Sequence, residues 1–289
     1  MSSSSLTAHL RHELSPDQCE ILNEFIKEID SLDLTRKQRK FCTEDCLIRY
    51  LRAREFVLAK SLKMLKETLE WRESFRPDEI DPKDLTLQAE SGKSYVDTTF
   101  SKKGNALVFF TPSRENSTDW TKNVKLTVFC LEQAISQMKS KGVDKLILFM
   151  DFSGYSRKNA PPFHVSREVL HILSNHYPER LQHAFMVNTP MIFNLFWNLI
   201  SPFLHHVTRE KIQFVRKRDF HVLQEYVDAD SLQKRFGGNR EEPEIKMYWQ
   251  SVIDMHIQRE KRKQDKRERH QHQKMSRHER TISGAGVKA

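Results

Sequence analysis

Cysteine and histidine are the residue types best suited to hold a metal ion or to carry nucleophilic and acid–base chemistry, and the chain has 4 of the first and 13 of the second. Their spacing supports neither use. Cys42 and Cys46 stand one helical turn apart, but no His or Cys pair nearby completes a tetrahedral zinc set, so core packing is the expected role. Cys19 and Cys130 complete no disulfide framework, which fits reduced thiols in the cytosol. His171 and His176 are five residues apart and His205 and His206 are adjacent, and neither pair has a ligand spacing. Phosphate and acyl chemistry are no better served. The 8 glycines build no phosphate loop ahead of Lys-Ser/Thr and no GxGxxG after a strand, and the GxSxG elbow of a hydrolase is missing. The expectation is a chain that is not an enzyme, with no metal and no cofactor.

The segment that stands out instead is apolar. Residues 189–204 read TPMIFNLFWNLISPFL, with Thr189 and Pro190 as N-cap and first helical position and Pro202 as the stop. Ile192, Phe193, Phe196, Trp197, Ile200 and Phe203 are among apolar residues on nearly every side of this helix, broken only by Asn194, Asn198 and Ser201. Such a helix is buried in a protein core or in lipid. Roughly a dozen residues reach about 18 Å, short of a hydrocarbon layer of roughly 30 Å, so it does not span a bilayer. The opening MSSSSLTAHLRHEL has no apolar run and reads as neither a secretory signal nor an anchor, so a cytoplasmic, soluble protein is expected.

The formal net charge of +9 is unevenly placed. Residues 259–280 hold ten basic residues (Arg259, Lys261, Arg262, Lys263, Lys266, Arg267, Arg269, Lys274, Arg277, Arg280) against Glu260, Asp265, Glu268 and Glu279, which is two thirds of the total. With almost no apolar residue to pack, this tail reads as a solvated helix extension followed by disorder. Its functional reading is attraction to anionic lipid or nucleic acid, with nucleic acid the less favoured.

The elements that must position these segments follow from periodicity. Residues 15–75 are helical: Ile21, Leu22, Phe25, Ile26 and Ile29 repeat behind a Ser-Pro start, then, beyond a charged linker, Leu47, Tyr50 and Leu51 begin a second helix and Leu58, Leu62, Leu65, Leu69 and Trp71 a third. From about residue 95 strands alternate with helices. Strands are expected at 105–111, 144–154, 183–189 and 210–215, with helices over 124–138, 165–175 and the apolar segment. That order predicts an α/β fold: a helical N-terminal subdomain, then a mostly parallel sheet with helices on it.

Taken together, CLIRYLRAREFVLAKSLKMLKETLEWRESF, NHYPERLQHAFMVNTP, SPFLHHVTREKIQFV and LQKRFGGN resemble, in order, the CRAL-TRIO family, typified by fungal phosphatidylinositol/phosphatidylcholine transfer proteins. The match weakens between Asp84 and Asn123, where the family's Asp-Gly-Arg-Pro-Val phrase reads KKGNALV. The resemblance implies a lipid pocket with a sheet floor, covered by an apolar gating helix at residues 189–204, with Ile192, Phe193, Phe196, Trp197, Ile200 and Phe203 forming gate and pocket. It implies a flexible N-terminus at 1–13, a helical subdomain at 14–83, a lipid-binding lobe at 84–240 and a basic helical or disordered tail at 241–289.

Carried over residue by residue, the phosphatidylinositol headgroup set is Arg54, Glu179, Thr208 and Lys211. Arg and Lys suit a partly buried phosphodiester, and Glu and Thr suit inositol hydroxyls. Without the resemblance, Arg54 and Glu179 read equally well as an ion pair between lobes. The sequence departs from the pattern twice. Leu146 and Leu148 stand where choline-lipid binding wants hydroxyl residues, and His205 and His206 replace the Asp-Pro that the resemblance leads one to expect after FL, which alters the local headgroup geometry. The expectation is a monomer that binds one phospholipid, phosphatidylinositol favoured, and meets membranes peripherally to transfer or present it. A carrier of sterol, tocopherol or retinoid, or a membrane-surface adaptor working through its basic tail, are the other readings.

Overall fold

A computed structural model describes residues 10–139 and 141–285; the side chains of Ile192, Leu195, Phe196, Lys266, Arg267 and residues 270–285 lie outside the description. The N-terminal helices are α1 (Pro16–Ser31), α2 (Arg36–Phe41), α3 (Glu44–Arg52) and α4 (Leu58–Phe75). The Ser-Pro start is a capping box, in which the Ser15 hydroxyl accepts from the Gln18 backbone and the Gln18 side chain accepts from the Ser15 backbone. Thr35 and Gln38 repeat it, so the charged linker holds a short helix of its own. Consequently Cys42 caps α2 while Cys46 begins α3, and the two do not share a helix. Burial pushes the Cys42 thiol up to about 12 and raises Cys46 as well. Leu22, Phe25, Ile48, Leu51 and Leu65 close the core of this unit.

Beyond it the chain forms α5 (Thr86–Ala89), β1 (Ser94–Phe100), β2 (Ala106–Phe110), α6 (Trp120–Lys139), β3 (Leu146–Asp151), α7 (Phe163–His176), β4 (Leu181–Val187), α8 (Met191–Ile200), α9 (His206–Glu210), β5 (Ile212–Val215) and the long α10 (Ile245–Ala285). The strands lie in the order β1-β2-β3-β4-β5, parallel throughout except for β1, which pairs antiparallel with β2. The α/β order expected from periodicity is therefore present, and β1 is an addition to it. The SYVDTTF of β1 is mostly polar, and Asp97 is buried because the Arg240 guanidinium and the Gln233 amide both donate to its carboxylate. No helix among the described residues is long and apolar enough to cross a membrane.

Strand register sorts the side chains into two faces. Phe109, Phe149 and Phe185 form one row, in which Phe109 stacks on Phe236, Phe149 tilts against it and Phe185 meets Tyr226 edge to face, and the Arg235 guanidinium stands 4.6 Å from the Phe236 ring. The other face carries two rows across four strands: Val108, Leu148, Ala184 and Ile212, then Phe110, Met150, Met186 and Phe214. At the β1 edge α6 packs on β1 and β2, and α10 roots there through Tyr248, Trp249, Val252 and Ile253. The Tyr248 hydroxyl accepts from the Val96 amide at 3.3 Å, and Trp249 meets Phe129 edge to face.

Candidate functional site

The β4-to-β5 crossover lays α8 over the second face of the sheet. Phe193, buried on α8, contacts Phe152 with ring centroids 4.3 Å apart and joins Met186 in a small cluster that also takes in Met150, Trp197 and Ile212. Trp197 stands edge-on to Phe214 at 5.3 Å, and Ile200 is buried. On this face Leu148, Met150, Phe110 and Ile212 are only partly buried although Val108, Ala184 and Met186 are buried, and of these Met150, Met186 and Ile212 lie against α8. Interior strands of a packed sheet ordinarily bury such side chains fully, so this face is an apolar floor that is incompletely covered.

The helix is two-sided in its packing although apolar in its sequence. Opposite Phe193, Trp197 and Ile200 lie Asn194 and Asn198 together with Met191, 89 % exposed, and Leu199, 51 % exposed. Phe203, in the 3₁₀ turn that follows, is 53 % exposed and shares the Arg167 guanidinium with the exposed Phe163, 6.4 Å away. Phe163 and Arg167 lie two elements earlier in the chain and carry no local signal that joins them to this patch. Exposed large apolar side chains grouped in this way mark contact surfaces for protein, ligand or membrane. At its start, α8 takes Pro190 as cap, extended at φ −75° and ψ 162°, with no side-chain cap bond, so Thr189 stands outside the helix and does not cap it.

The polar candidates gather at the opposite ends of the same strands. Glu179 precedes β4 and Lys211 precedes β5, so the parallel pairing of these neighbours brings them together, with Nζ to Oε2 at 3.5 Å. Lys211 is held in place by its carbonyl, which accepts from the Ala184 amide, and Glu179 sits in the left-handed region at φ +56°. For a residue other than glycine that conformation costs on the order of 1 kcal/mol and marks a constrained position. Thr208 lies on α9, its carbonyl accepting from the Lys211 amide.

Arg54 is positioned separately. Glu55 and Phe56 both adopt positive φ after α3 and turn the chain so that Arg54 donates to the Asn175 side chain at the end of α7, 3.1 Å away. The Arg54–Glu179 ion pair is thus replaced by two contacts, Arg54 with Asn175 and Glu179 with Lys211. Arg54 also lines an open cleft of ≈ 250 Å³ with Lys60, Lys63, Met64 and Glu67. That is below the ~300–1,000 Å³ of ordinary small-molecule pockets, so the cleft offers room for a polar group and not for acyl chains.

Next to Asn175 the two lobes meet at a buried histidine. His176 stacks on Trp71 at 4.4 Å and contacts the Thr68 hydroxyl through Nδ1 at 3.0 Å. Burial first, then the His171 and Arg72 charges, press its pKa down to about 4. In the unfolded chain the ring titrates near 6.5, so between pH ~6.5 and ~4 the unfolded state binds the proton and the folded state resists it. Stability is therefore expected to fall by ~2–3 kcal/mol across that window, read as a urea midpoint that drops from pH 7.5 to pH 4.5 and drops less in His176→Gln.

The sequence matches the CRAL/TRIO domain over residues 89–238 and the CRAL/TRIO N-terminal domain over residues 9–67. The chain belongs to the CRAL/TRIO family of lipid-binding and lipid-transfer domains. Among similar proteins, a CRAL-TRIO domain-containing protein of Schizosaccharomyces pombe is 33% identical over 224 residues, 77% of this chain and 22% of that protein. Phosphatidylinositol transfer protein PDR17 of Saccharomyces cerevisiae is 26% identical over 66% of this chain and 58% of its own length, and phosphatidylinositol transfer protein CSR1 of Eremothecium gossypii is 28% identical over 78% and 56%. The chain thus spans less than two thirds of each of these relatives. The crystal structure of Sfh5 aligns with a TM-score of 0.56 at 18% identity, over 89% of this chain and 99% of that one, and shares its fold.

Proposed function

We propose that the chain holds one phospholipid, phosphatidylinositol in preference, between the apolar sheet face and α8, and exchanges it at a bilayer by swinging α8 outward. The observation that carries this reading is the placement of α8: its inner side lies on a half-exposed apolar floor while its outer side presents Met191, Leu199 and Phe203 to solvent. A diacyl lipid has roughly 30 chain methylenes at about 0.8 kcal/mol each, so release through water would cost on the order of 20 kcal/mol. A gate that enters the membrane lets the tails pass between two apolar phases, and that term largely cancels. Because Phe193 already touches Phe152, acyl chains need α8 to move.

For the headgroup, Lys211 and Arg54 supply cations for the phosphodiester, and Glu179 and Thr208 supply acceptors and a donor for inositol hydroxyls. Leu148 puts a methyl-lined surface where a choline headgroup would want hydroxyls. The two relatives named as phosphatidylinositol transfer proteins support the same choice. The protein would work as a monomer in the cytoplasm, touching membranes peripherally. Mass spectrometry of lipid extracted from purified protein is the test: inositol lipid is expected, whereas choline lipid, a sterol or a retinoid would overturn the headgroup assignment. Arg54→Ala combined with Lys211→Ala should cut phosphatidylinositol transfer between vesicles at least tenfold, since each charge-assisted contact contributes about 1.5–3 kcal/mol. The thermal midpoint should stay nearly unchanged, because both residues are solvent-accessible and their present partners are weak.

A further inference from the structure

The described helix α10 continues without a break far beyond the residues that hold it to the fold. At its root Tyr248, Trp249, Val252 and Ile253 are buried at the β1 edge, whereas residues 257–265, 268 and 269 are all exposed. The segment 259–280 rises about 32 Å along the helix axis. Met275 is the single hydrophobic residue in it, so it has no seam for a coiled coil and no apolar stripe for insertion into a membrane.

Its charges are sorted. At 100° per residue, all ten basic residues of this segment except Lys261 fall in one sector roughly 160° wide. Glu260, Asp265, Glu268 and Glu279 all fall outside that sector, and Glu260 reaches its edge to accept from Lys263 at 2.6 Å. A solvated helix gains from mixing the two signs at i,i+4 spacing, so segregation is not what solubility alone would select. A one-sided cationic strip, about three charges every two turns along ~32 Å, complements a flat anionic surface. A helix seated in a nucleic-acid groove meets phosphates on both flanks and places polar side chains against base edges, and acidic residues along the back of the helix fit that poorly.

We propose that residues 259–280 of α10 form an electrostatic docking arm that lies along bilayers carrying anionic lipid. The inference deepens the reading above only in taking a bilayer as the place of exchange, and it does not depend on which lipid fills the pocket. The root of the arm packs at the β1 edge, whereas α8 lies over β3, β4 and β5, two to four strand spacings or ~10–19 Å across the sheet. The arm therefore adds a second footprint, polar where α8 is apolar, and the two together can limit how the protein is oriented on the surface.

The test compares the full chain with a charge-conserving exchange, Arg262→Glu with Glu268→Arg and Lys266→Asp with Asp265→Lys. Composition and net charge stay the same, but two cations leave the strip and two carboxylates enter it. Sedimentation with phosphatidylcholine vesicles containing roughly 30% phosphatidylserine should show binding by the native chain at about 50 mM salt that weakens sharply at about 300 mM. The exchanged chain should bind about tenfold less well at low salt, with its helix content by circular dichroism unchanged. Equal binding by the two chains, or equal binding of the native chain to vesicles of pure phosphatidylcholine, would overturn the proposal. Preferential capture by a DNA duplex over the phosphatidylserine vesicles would overturn it in favour of nucleic acid. Lipid extracted from the same two preparations keeps the readings apart: an empty pocket with intact vesicle binding removes the proposed transfer function and leaves the arm standing.

Discussion

Leu199→Asp combined with Phe203→Asp should reduce vesicle-to-vesicle lipid transfer about a hundredfold or more while the purified protein still contains lipid. Both side chains are more than half exposed, so two carboxylates can be accommodated in water with little cost to the fold. The cost arises when that surface meets hydrocarbon. Asp near the centre of a bilayer is disfavoured by about 2.5–3.5 kcal/mol and less toward the interface, so two of them make a total of roughly 3 kcal/mol a modest expectation, and every 1.4 kcal/mol is tenfold. Raising the salt concentration should not restore transfer, because the lost interaction is apolar. Transfer at the native rate would show that α8 opens without entering the membrane. The inward residues answer differently: Phe193→Ala removes a fully buried ring from the Phe152 and Met186 cluster and should loosen α8 from the sheet, raising lipid exchange at the expense of retention.

Gly238→Ala should lower the thermal midpoint by roughly 6–12 °C, the largest effect expected of an added methyl group at any of the described glycines. A Cβ at Gly238 would stand 2.0 Å from the carbonyl oxygen of Leu232, a backbone atom that cannot rotate away. The loop is closed by its own hydrogen bonds, from the Arg240 amide to the Leu232 carbonyl and from the Lys234 amide to the Arg240 carbonyl. It carries Gln233, Arg235 and Phe236, which together cover the aromatic face of the sheet: Phe236 stacks on Phe109 at 5.3 Å, and Arg235 donates to the Tyr95 and Thr111 hydroxyls at 3.0 Å. Forcing the loop open would expose that face, at a cost of about 3 kcal/mol or more. Gly237, at φ +83° with Phe220 Cβ 3.0 Å from the added carbon, should be nearly as intolerant. Gly142, whose added Cβ meets nothing within 4 Å, should lose only the backbone preference for its φ of +67°. Differential scanning calorimetry of the three alanine variants ranks them.

Much of the architecture was readable from local pattern. The Ser15–Gln18 capping box, the leucine spacing of α4 and the unbroken apolar run of β3 each act within a turn or a strand, and the helical unit followed by a mostly parallel sheet was correctly expected from them. The short helix α2 was legible too, through the same Thr-x-x-Gln signal, but its charged residues masked it. Strand β1 was not: SYVDTTF looks like a loop until Arg240, 143 positions later, neutralises Asp97. The His176 environment likewise depends on Trp71 and Thr68, which arrive from the other lobe.

The division for the candidate site follows the same line. The sequence by itself determined that residues 189–204 would hold one short helix with apolar residues on nearly every side, too short to span a bilayer, and that the positive charge would collect beyond residue 258, since both are properties of composition and length. Only the tertiary structure decided which side of α8 faces the sheet, that Glu179 pairs with Lys211 and Arg54 with Asn175, and that α8 lies over β3 to β5 while α10 roots at the β1 edge. A helical period sets which residues share a face but not which face is covered, and a pair separated by 32 positions exists only once two parallel strands have taken their register.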